Sequence, residues 1–402
     1  MGWLYLEPNV YLHSTNAESL LYNTLNGDRL VVSDPLIVEI LKEIVVDANR
    51  GVVFVEEHWS ENNSFNEFRQ ILSSKEMGGV VTSDLDVKRP IRPRPIYKLD
   101  NDIEIDLLRN KSLTLNNLLD NLIQVNLYVN GSCEFTCGLC NSMYQQLLMC
   151  AKWDLNEDIL NETTLKSILD QIIYSSISKF NVLGGQVLRY PYLNLISKKL
   201  NEVNVRPCVY AYYKHVLQNS YCEFLDYVIM ISSDISISEM EVLDAWGDNL
   251  KYNFIVTSED DAFFYETLID RFRLMSYRFV PLYTGSNIRF FEENVFTSLD
   301  DIFCRTFSHR DIFAHQKVNA NYFGCLSIFP DGSVKASINA DSIGNVMTSS
   351  IGDLIYNELI NNTAWRKIRD NKPCCDCLYQ FLCPSPSDYE AVIGKCNLCN
   401  IV

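Results

Sequence analysis

The sequence predicts an α/β protein built around a partial, open barrel of strand–helix units, with a small unit before it and a cysteine-rich tail after it. Three observations predict this. From residue 121 onward, short β-branched runs alternate with helical stretches, a pattern that implies a parallel sheet with crossover helices. The units number about six over roughly 160 residues, short of the eight that close a full barrel. The 14 cysteines fall mostly into two clusters, 133/137/140 and 374/375/377/383/396/399, and clustered cysteines in a reducing compartment mean metal or redox chemistry rather than disulfides.

A chain of 402 residues argues for about two to three domains at roughly 100–200 residues each. We expect a small unit over 1–95, either a packing domain or a peptide-binding module, a linker over 96–120, the barrel over 121–300 and the cysteine-rich region over 301–402. A hydrophobic fraction of 47% is that of a globular chain with a real core. No apolar run approaches the ~18 residues of a membrane span. The start "MGWLYLEPNVYLHS" has no basic n-region, and Leu6 occupies the Ser/Thr position of a myristoylation signal. The expectation is a soluble cytoplasmic protein with no membrane partner. A net charge of -17 argues against nucleic acid, whose affinity comes largely from Lys and Arg on phosphates. The one basic stretch, "VKRPIRPRPIYK" at 87–98, is rich in proline and suits an extended linker.

The elements follow in order. "LLYNTLNGDRLVVS" carries Asn26-Gly27 between two alternating apolar runs, a strong hairpin signal. "SDPLIVEILKEIVVDANRG" predicts a helix capped by Ser33 or Asp34, with Pro35 at its first position and Gly51 just beyond its end. "VVFVEE" predicts a strand and "NSFNEFRQILSS" a helix. The barrel strands are expected at 122–130, 179–185, 206–214, 225–234, 250–258 and 275–283. "ETTLKSILDQIIYSSI" and "DAFFYETLIDRF" are two of the helices between them.

In parallel barrels, chemistry sits on loops after the C-terminal ends of strands. The first barrel strand runs directly into "NGSCEFTCGLCNS", which holds Cys133, Cys137 and Cys140 at C-x3-C-x2-C spacing. At this cysteine frequency such a triplet is expected by chance only about 0.02 times in the chain. Structural zinc wants four ligands, usually in two hooks; here there are three, and His58 and His215 are far away in sequence. A 4Fe–4S cluster held by three thiolates leaves one iron open for a small chelating ligand.

This loop in this position resembles the radical S-adenosylmethionine (radical SAM) superfamily. The resemblance implies that Cys133, Cys137 and Cys140 hold a 4Fe–4S cluster whose open iron is chelated by S-adenosylmethionine. One-electron reduction then releases a 5′-deoxyadenosyl radical that takes a hydrogen from substrate. The family's glycine pair after the second strand corresponds to Gly184-Gly185, where it helps seat the methionyl amino group. The family continues with Glu-Pro, whereas this chain has Gln186-Val187, and Leu139 stands where an aromatic residue usually precedes the third cysteine. Ser232 and Asp234, in "ISSD" after the fourth strand, are similar to the family's Ser-x-Asp near the ribose or carboxylate of the cofactor. They would serve equally as a capped strand-to-helix turn.

The tail "CCDCLYQFLCPSPSDYEAVIGKCNLC" contains Cys374-x2-Cys377-x5-Cys383 and a late Cys396 or Cys399. Four thiolates close a site, so it suits structural zinc or an electron-transfer cluster. Together with Cys325 and the Pro330-Asp331-Gly332 turn, the tail resembles the SPASM domain of peptide maturases, which holds two auxiliary clusters. Mapped onto that pattern, two ligands of the inner cluster fall on Ser337 and Ser387. The outer set keeps Cys374, Cys377, Cys383 and a final cysteine, for which Cys399 is preferred. One auxiliary cluster is therefore implied. Cys325 is left as a buried or substrate-facing thiol and Cys375 as a bystander, while Cys150, Cys208, Cys222 and Cys304 are expected to be buried thiols.

Taken together, the resemblance implies a peptide maturase that cross-links a ribosomally made precursor through a thioether or carbon–carbon bond. Residues 1–95 would be a winged-helix-like element that recognises the precursor leader by strand addition. A flavodoxin or ferredoxin would supply electrons, and a second radical SAM protein is admitted as a partner. The alternative is a catalytically silent relative that binds precursor for an active maturase.

Overall fold

The structure, a computed structural model, describes residues 2–82, 88–97, 115–135, 137, 140, 145–151, 159–247 and 249–401. Leu139 and most of the predicted linker lie outside the described residues.

The first 82 residues form two small antiparallel sheets. β1 (Gly2–Leu6) lies between β5 (Val52–Val55) and β6 (Gly78–Thr82), and β3 (Ser19–Asn23) lies between β2 (Val10–Ser14) and β4 (Arg29–Val32). The Asn26-Gly27 hairpin forms as β3–β4, with Gly27 at φ +80°. Its loop runs Thr24–Asp28 rather than as a two-residue turn, because Asn23 N–H already bonds the Asp28 carbonyl. The helix Pro35–Val45 starts as expected, with the Asp34 carboxylate accepting from the amides of Leu36 and Ile37.

The parallel sheet is the organising layer. Strands β7 (Gln124–Tyr128), β8 (Lys179–Leu183), β9 (Pro207–Tyr212), β10 (Asp226–Ile231), β11 (Leu250–Val256) and β12 (Tyr277–Pro281) pair in sequential order, every pairing parallel. Each falls inside its sequence-predicted run. Helices such as Glu162–Ile172, capped by Asn161, and Glu259–Phe272, capped by Ser258, return the chain between them. This is a partial (β/α)6 barrel. Its β12 side pairs, among the described residues, only with β11; its β7 side is extended by β13 (Cys325–Ile328), which is parallel to β7, and then by antiparallel β14 (Ser333–Lys335) and β15 (Ser342–Asn345).

The outer face is apolar, with Val125, Phe180, Val209, Ile229 and Phe254 among its buried residues, as a sheet covered by helices requires. The inside carries amides instead: Asn181 donates to Asn126 Oδ1 at 2.8 Å, and Arg278 Nε donates to Asn253 Oδ1 at 2.8 Å. A separate apolar seam joins the two ends of the chain. Tyr11, Leu20 and Tyr22 pack against Ile302, Phe307, Leu378 and Leu382, and the Phe307 amide donates to the Tyr22 hydroxyl at 2.9 Å.

Candidate functional site

The cysteine loop leaves β7 at the C-terminal rim of the sheet, and β8 leaves beside it. The two exits stay hydrogen-bonded past the strand ends: Val129 N–H to Leu183 O, Gly185 N–H to Asn130 O and Gln186 N–H to Ser132 O, at 2.8–3.1 Å. This brings Gly184-Gly185 directly onto the loop. Gly184 has φ +147°, and a Cβ there would lie 2.4 Å from Asn130 Oδ1. A Cβ on Gly185 would lie 1.8 Å from the Ser132 carbonyl oxygen and 3.2 Å from Cys133 Cβ. Only glycine fits this approach. Asn130 Oδ1 is buried and has no hydrogen-bond partner among the described residues, an uncommon cost at a rim.

Cys133, Cys137 and Cys140 are all half-buried. Cys150, expected only as a packing thiol, is buried close enough to feel two of them: burial first, then the charges of Cys137 and Cys133, push its thiol well above the ordinary range. His215, distant in sequence, is brought to the loop. Its Nε2 stands 3.3 Å from Cys133 Sγ and its ring stacks obliquely on Phe135 at 4.9 Å. Burial and then the nearby Arg189 cation push its pKa down to about 4, with Glu134 opposing. The sequence expectation of no histidine beside the triad is therefore corrected: the turn after β9 supplies one.

Gln186 is buried beside Gly185, and its side-chain oxygen accepts from Arg189 Nη1 at 3.1 Å. The same Arg189 nitrogen donates to Glu134 Oε1 at 2.7 Å, so the arginine ties the cysteine loop to the residue after the glycine pair. Ser232 and Asp234 follow β10 on the same rim. Ser232 donates to Asp234 and shares a 2.7 Å hydrogen bond with the Tyr212 hydroxyl, while Lys214 Nζ lies 2.6 Å from Asp234 Oδ2. Burial opposes the Asp234 charge, but hydrogen bonds from Lys214 and Ser232 outweigh it and hold the carboxyl down at about 2. Tyr212 also touches the His215 ring, so side-chain contacts run from Cys133 to Asp234.

At the N-terminal mouth of the sheet, the opposite end, lies a cavity of about 860 Å³. Asn181, Tyr210, Tyr252, Asn253, Arg278 and Asp388 are among its walls, with Cys208 at its edge. Cys325 is buried and accepts from Asn126 Nδ2 at 3.2 Å. Where the sequence pattern places the missing inner ligands, Ser337 Oγ and Asn339 Nδ2 both donate to Asp388 Oδ1, and Ser387 caps the helix Asp388–Ile393.

In the tail, Cys374, Cys377, Cys383 and Cys399 border one small cavity with room for about a single water, about 10 Å³. Cys396 is exposed and does not border it. Burial pushes the Cys383 thiol up to about 12, with Arg369 opposing and the neighbouring thiols adding to the shift; Cys374 and Cys377 shift the same way, burial again leading. Arg369 lies 3.9 Å from Cys374 Sγ and pairs with Glu390 at 2.7 Å, both side chains buried. Sequence reasoning missed that pair, since a lone Arg and Glu 21 residues apart carry no local signal. Cys304, expected buried, is exposed, because it caps the short helix Leu299–Phe303 at its outer end.

Among the described residues, no three His, Cys, Asp or Glu side chains converge on a point that could hold one metal ion. One zinc would draw its sulfurs to about 3.8 Å from one another, as Zn–S bonds of 2.3 Å require.

No family model matches the sequence and no curated protein matches it. Among solved structures the chain is similar to Streptococcus suis SuiB bound to precursor peptide SuiA, at 13% identity over 98% of each chain with a TM-score of 0.44. It is similar to SuiB bound to S-adenosylmethionine at 13% identity over 99% of each chain, TM-score 0.46. It is also similar to anSMEcpe with bound AdoMet, at 12% identity over 65% of this chain and 84% of that one, TM-score 0.40. The fold described above rests on this chain's own sheet topology, not on these overlaps. No helix among the described residues is long and apolar enough to cross a membrane.

Proposed function

We propose that this chain is a radical SAM peptide maturase that installs a thioether or carbon–carbon cross-link on a ribosomally made precursor. The observation that carries the reading is the seating of Gly184-Gly185 on the cysteine loop at the C-terminal rim, so close that a Cβ on Gly185 would overlap the Ser132 carbonyl. Cys133, Cys137 and Cys140 would hold a 4Fe–4S cluster, and Cys374, Cys377, Cys383 and Cys399 an auxiliary one. Gly184, Gly185, Gln186, Ser232 and Asp234 would seat S-adenosylmethionine. When bound, the loop cluster supplies the electron that cleaves S-adenosylmethionine.

The chain's own groups supply binding and orientation. The bare Gly185 backbone admits a close ligand, and Asp234, kept ionised by Lys214, presents an acceptor on the same rim. The amide- and tyrosine-lined cavity at the opposite mouth suits the part of an extended peptide that lies beyond the reacting residue, where it offers backbone donors and acceptors in sequence. Leader binding is assigned to the outer edge of β4, which among the described residues pairs only with β3 and where Val31 is exposed. Since the N-terminal unit shares its apolar seam with the tail, Val31→Asp tests this better than deletion. It should weaken binding of a labelled precursor tenfold or more, about 1.4 kcal/mol, by fluorescence polarisation; equal affinity moves leader recognition elsewhere.

The engagement of Gln186 by Arg189 favours a second reading, a catalytically silent relative that binds precursor beside an active maturase. Anaerobic reduction with S-adenosylmethionine separates them. The enzyme forms 5′-deoxyadenosine and changes the mass of a co-expressed precursor, and the silent relative does neither.

A further inference from the structure

We propose that His215 is a positioning residue for the cluster of the cysteine loop: its Nε2–H donates to the Cys133 sulfur and raises the reduction potential of that cluster. The proposal rests on the reading of Cys133, Cys137 and Cys140 as cluster ligands.

The geometry is specific. His215 sits in the short helix Tyr213–Leu217 immediately after β9, and its Nε2 reaches to 3.3 Å from Cys133 Sγ. The side chain is 2% exposed and packs against the rings of Phe135 and Tyr212, which hold the imidazole in place. Its Nδ1 is buried with no hydrogen-bond partner among the described residues.

A neutral imidazole carries one N–H, and which nitrogen bears it is set by the hydrogen bonds available. A cysteine thiol could donate to the ring, but a cluster-bound thiolate only accepts. With Nδ1 facing no partner, the proton belongs on Nε2, where it meets the sulfur. Hydrogen bonds to the sulfurs are among the levers that set cluster potentials. An N–H aimed at sulfur stabilises the electron-richer state more, so it favours the reduced cluster. The step it biases is uptake of one electron from an external reductant. The proton stays on Nε2 throughout, and no bond at His215 forms or breaks.

The test compares reconstituted wild type with His215→Phe, which keeps the ring volume without a donor, and His215→Gln, whose amide N–H reaches to about the same place. The Cys133/Cys137/Cys140 triple Ala variant isolates the auxiliary cluster's wave in an EPR-monitored redox titration with dithionite. His215→Phe should keep the wild-type iron content and lower the reduced-to-oxidised ratio at the wild-type midpoint about tenfold, some 59 mV for a one-electron couple. His215→Gln should recover most of that shift. An unchanged midpoint in His215→Phe, or an equal shift in both variants, overturns the hydrogen bond. Loss of iron in His215→Phe makes the histidine a ligand and overturns it too. Should His215→Phe not fold, pulsed EPR of 15N-histidine-labelled wild type reads the contact directly. A nitrogen coupling to the reduced loop cluster supports the proposal, and its absence overturns it. Full iron retention in the triple Ala variant instead overturns the reading of the loop itself, and the proposal with it.

Discussion

The loop after β7 and the tail after residue 370 both collect cysteines, yet they stand in opposite relations to the fold around them. The loop's three thiols are half-buried on a rim whose β7–β8 backbone hydrogen bonds exist without them. The tail's four thiols border a cavity in a region with little regular structure: a turn at Cys374–Asp376 and the helix Asp388–Ile393. An open site borrows its shape from a scaffold. A closed one is the scaffold, and its binding free energy becomes folding free energy.

The harshest way to break that contrast is in the tail. Cys377→Ala, Cys383→Ala and Cys399→Ala should each give insoluble or rapidly proteolysed protein, whereas Cys375→Ala and the exposed Cys396→Ala should leave soluble yield near wild type. Limited proteolysis of matched preparations checks this, and a severe Cys396→Ala beside a mild Cys399→Ala would exchange their roles. Next comes Glu390→Ala, which strands the buried Arg369 cation among thiols; truncating one partner of a buried pair costs about 3–5 kcal/mol, readable as a lowered denaturant midpoint. Arg369→Met with Glu390→Leu should recover much of that loss.

Replacing Cys133, Cys137 and Cys140 together by Ala should cost little stability. Iron should fall from about eight to about four per chain, one cubane of two, and 5′-deoxyadenosine formation should vanish. A wild-type content near twelve would mean a third cluster and would refute the assignment of Ser337 and Ser387 as lost ligands.

The smallest effect sharpens the same point at the site between the two sets. Burial raises the Asp388 pKa despite hydrogen bonds from Asn339, Tyr322 and Ser337. A carboxyl whose folded pKa lies above its unfolded value near 3.8 is stabilising when protonated, and that contribution is lost as pH rises through the folded value. Asp388→Asn should therefore match or exceed wild-type stability by about 1 kcal/mol or less at pH 7. Wild type should gain on the variant as pH falls toward 4, and parallel pH profiles would show that the carboxyl is not strained.

The six barrel strands were legible because each is a β-branched run bounded by turn residues, and their order followed from the alternation with helices. Placement of the cysteine loop and the glycine pair on one rim followed from parallel topology alone. What was not legible depends on contacts between distant segments. His215 looks isolated in sequence because the segment after β9 meets the loop after β7 only once β8 has paired between the two strands. The pairing of β13 with β7 leaves no local mark, since "CLSI" reads as any short buried strand. Cys304 misled because a cysteine's frequency of burial says nothing about a cap position on a short helix.

The parallel pairing of β7 with β13 has a consequence for how the protein is made. β7 is the first barrel strand to leave the ribosome, and β13, its partner on the side away from β8, follows roughly 200 residues later, on the order of 10–40 s at ordinary synthesis rates of 5–20 residues per second. Tyr11 and Tyr22 wait longer still, roughly 280–370 residues, for Ile302 and Leu378. During that interval the nascent chain carries an unpaired strand edge and an uncovered apolar face, the features that invite wrong pairing. Slow emergence, low temperature or a chaperone that shields these surfaces should therefore decide yield before any metal is inserted.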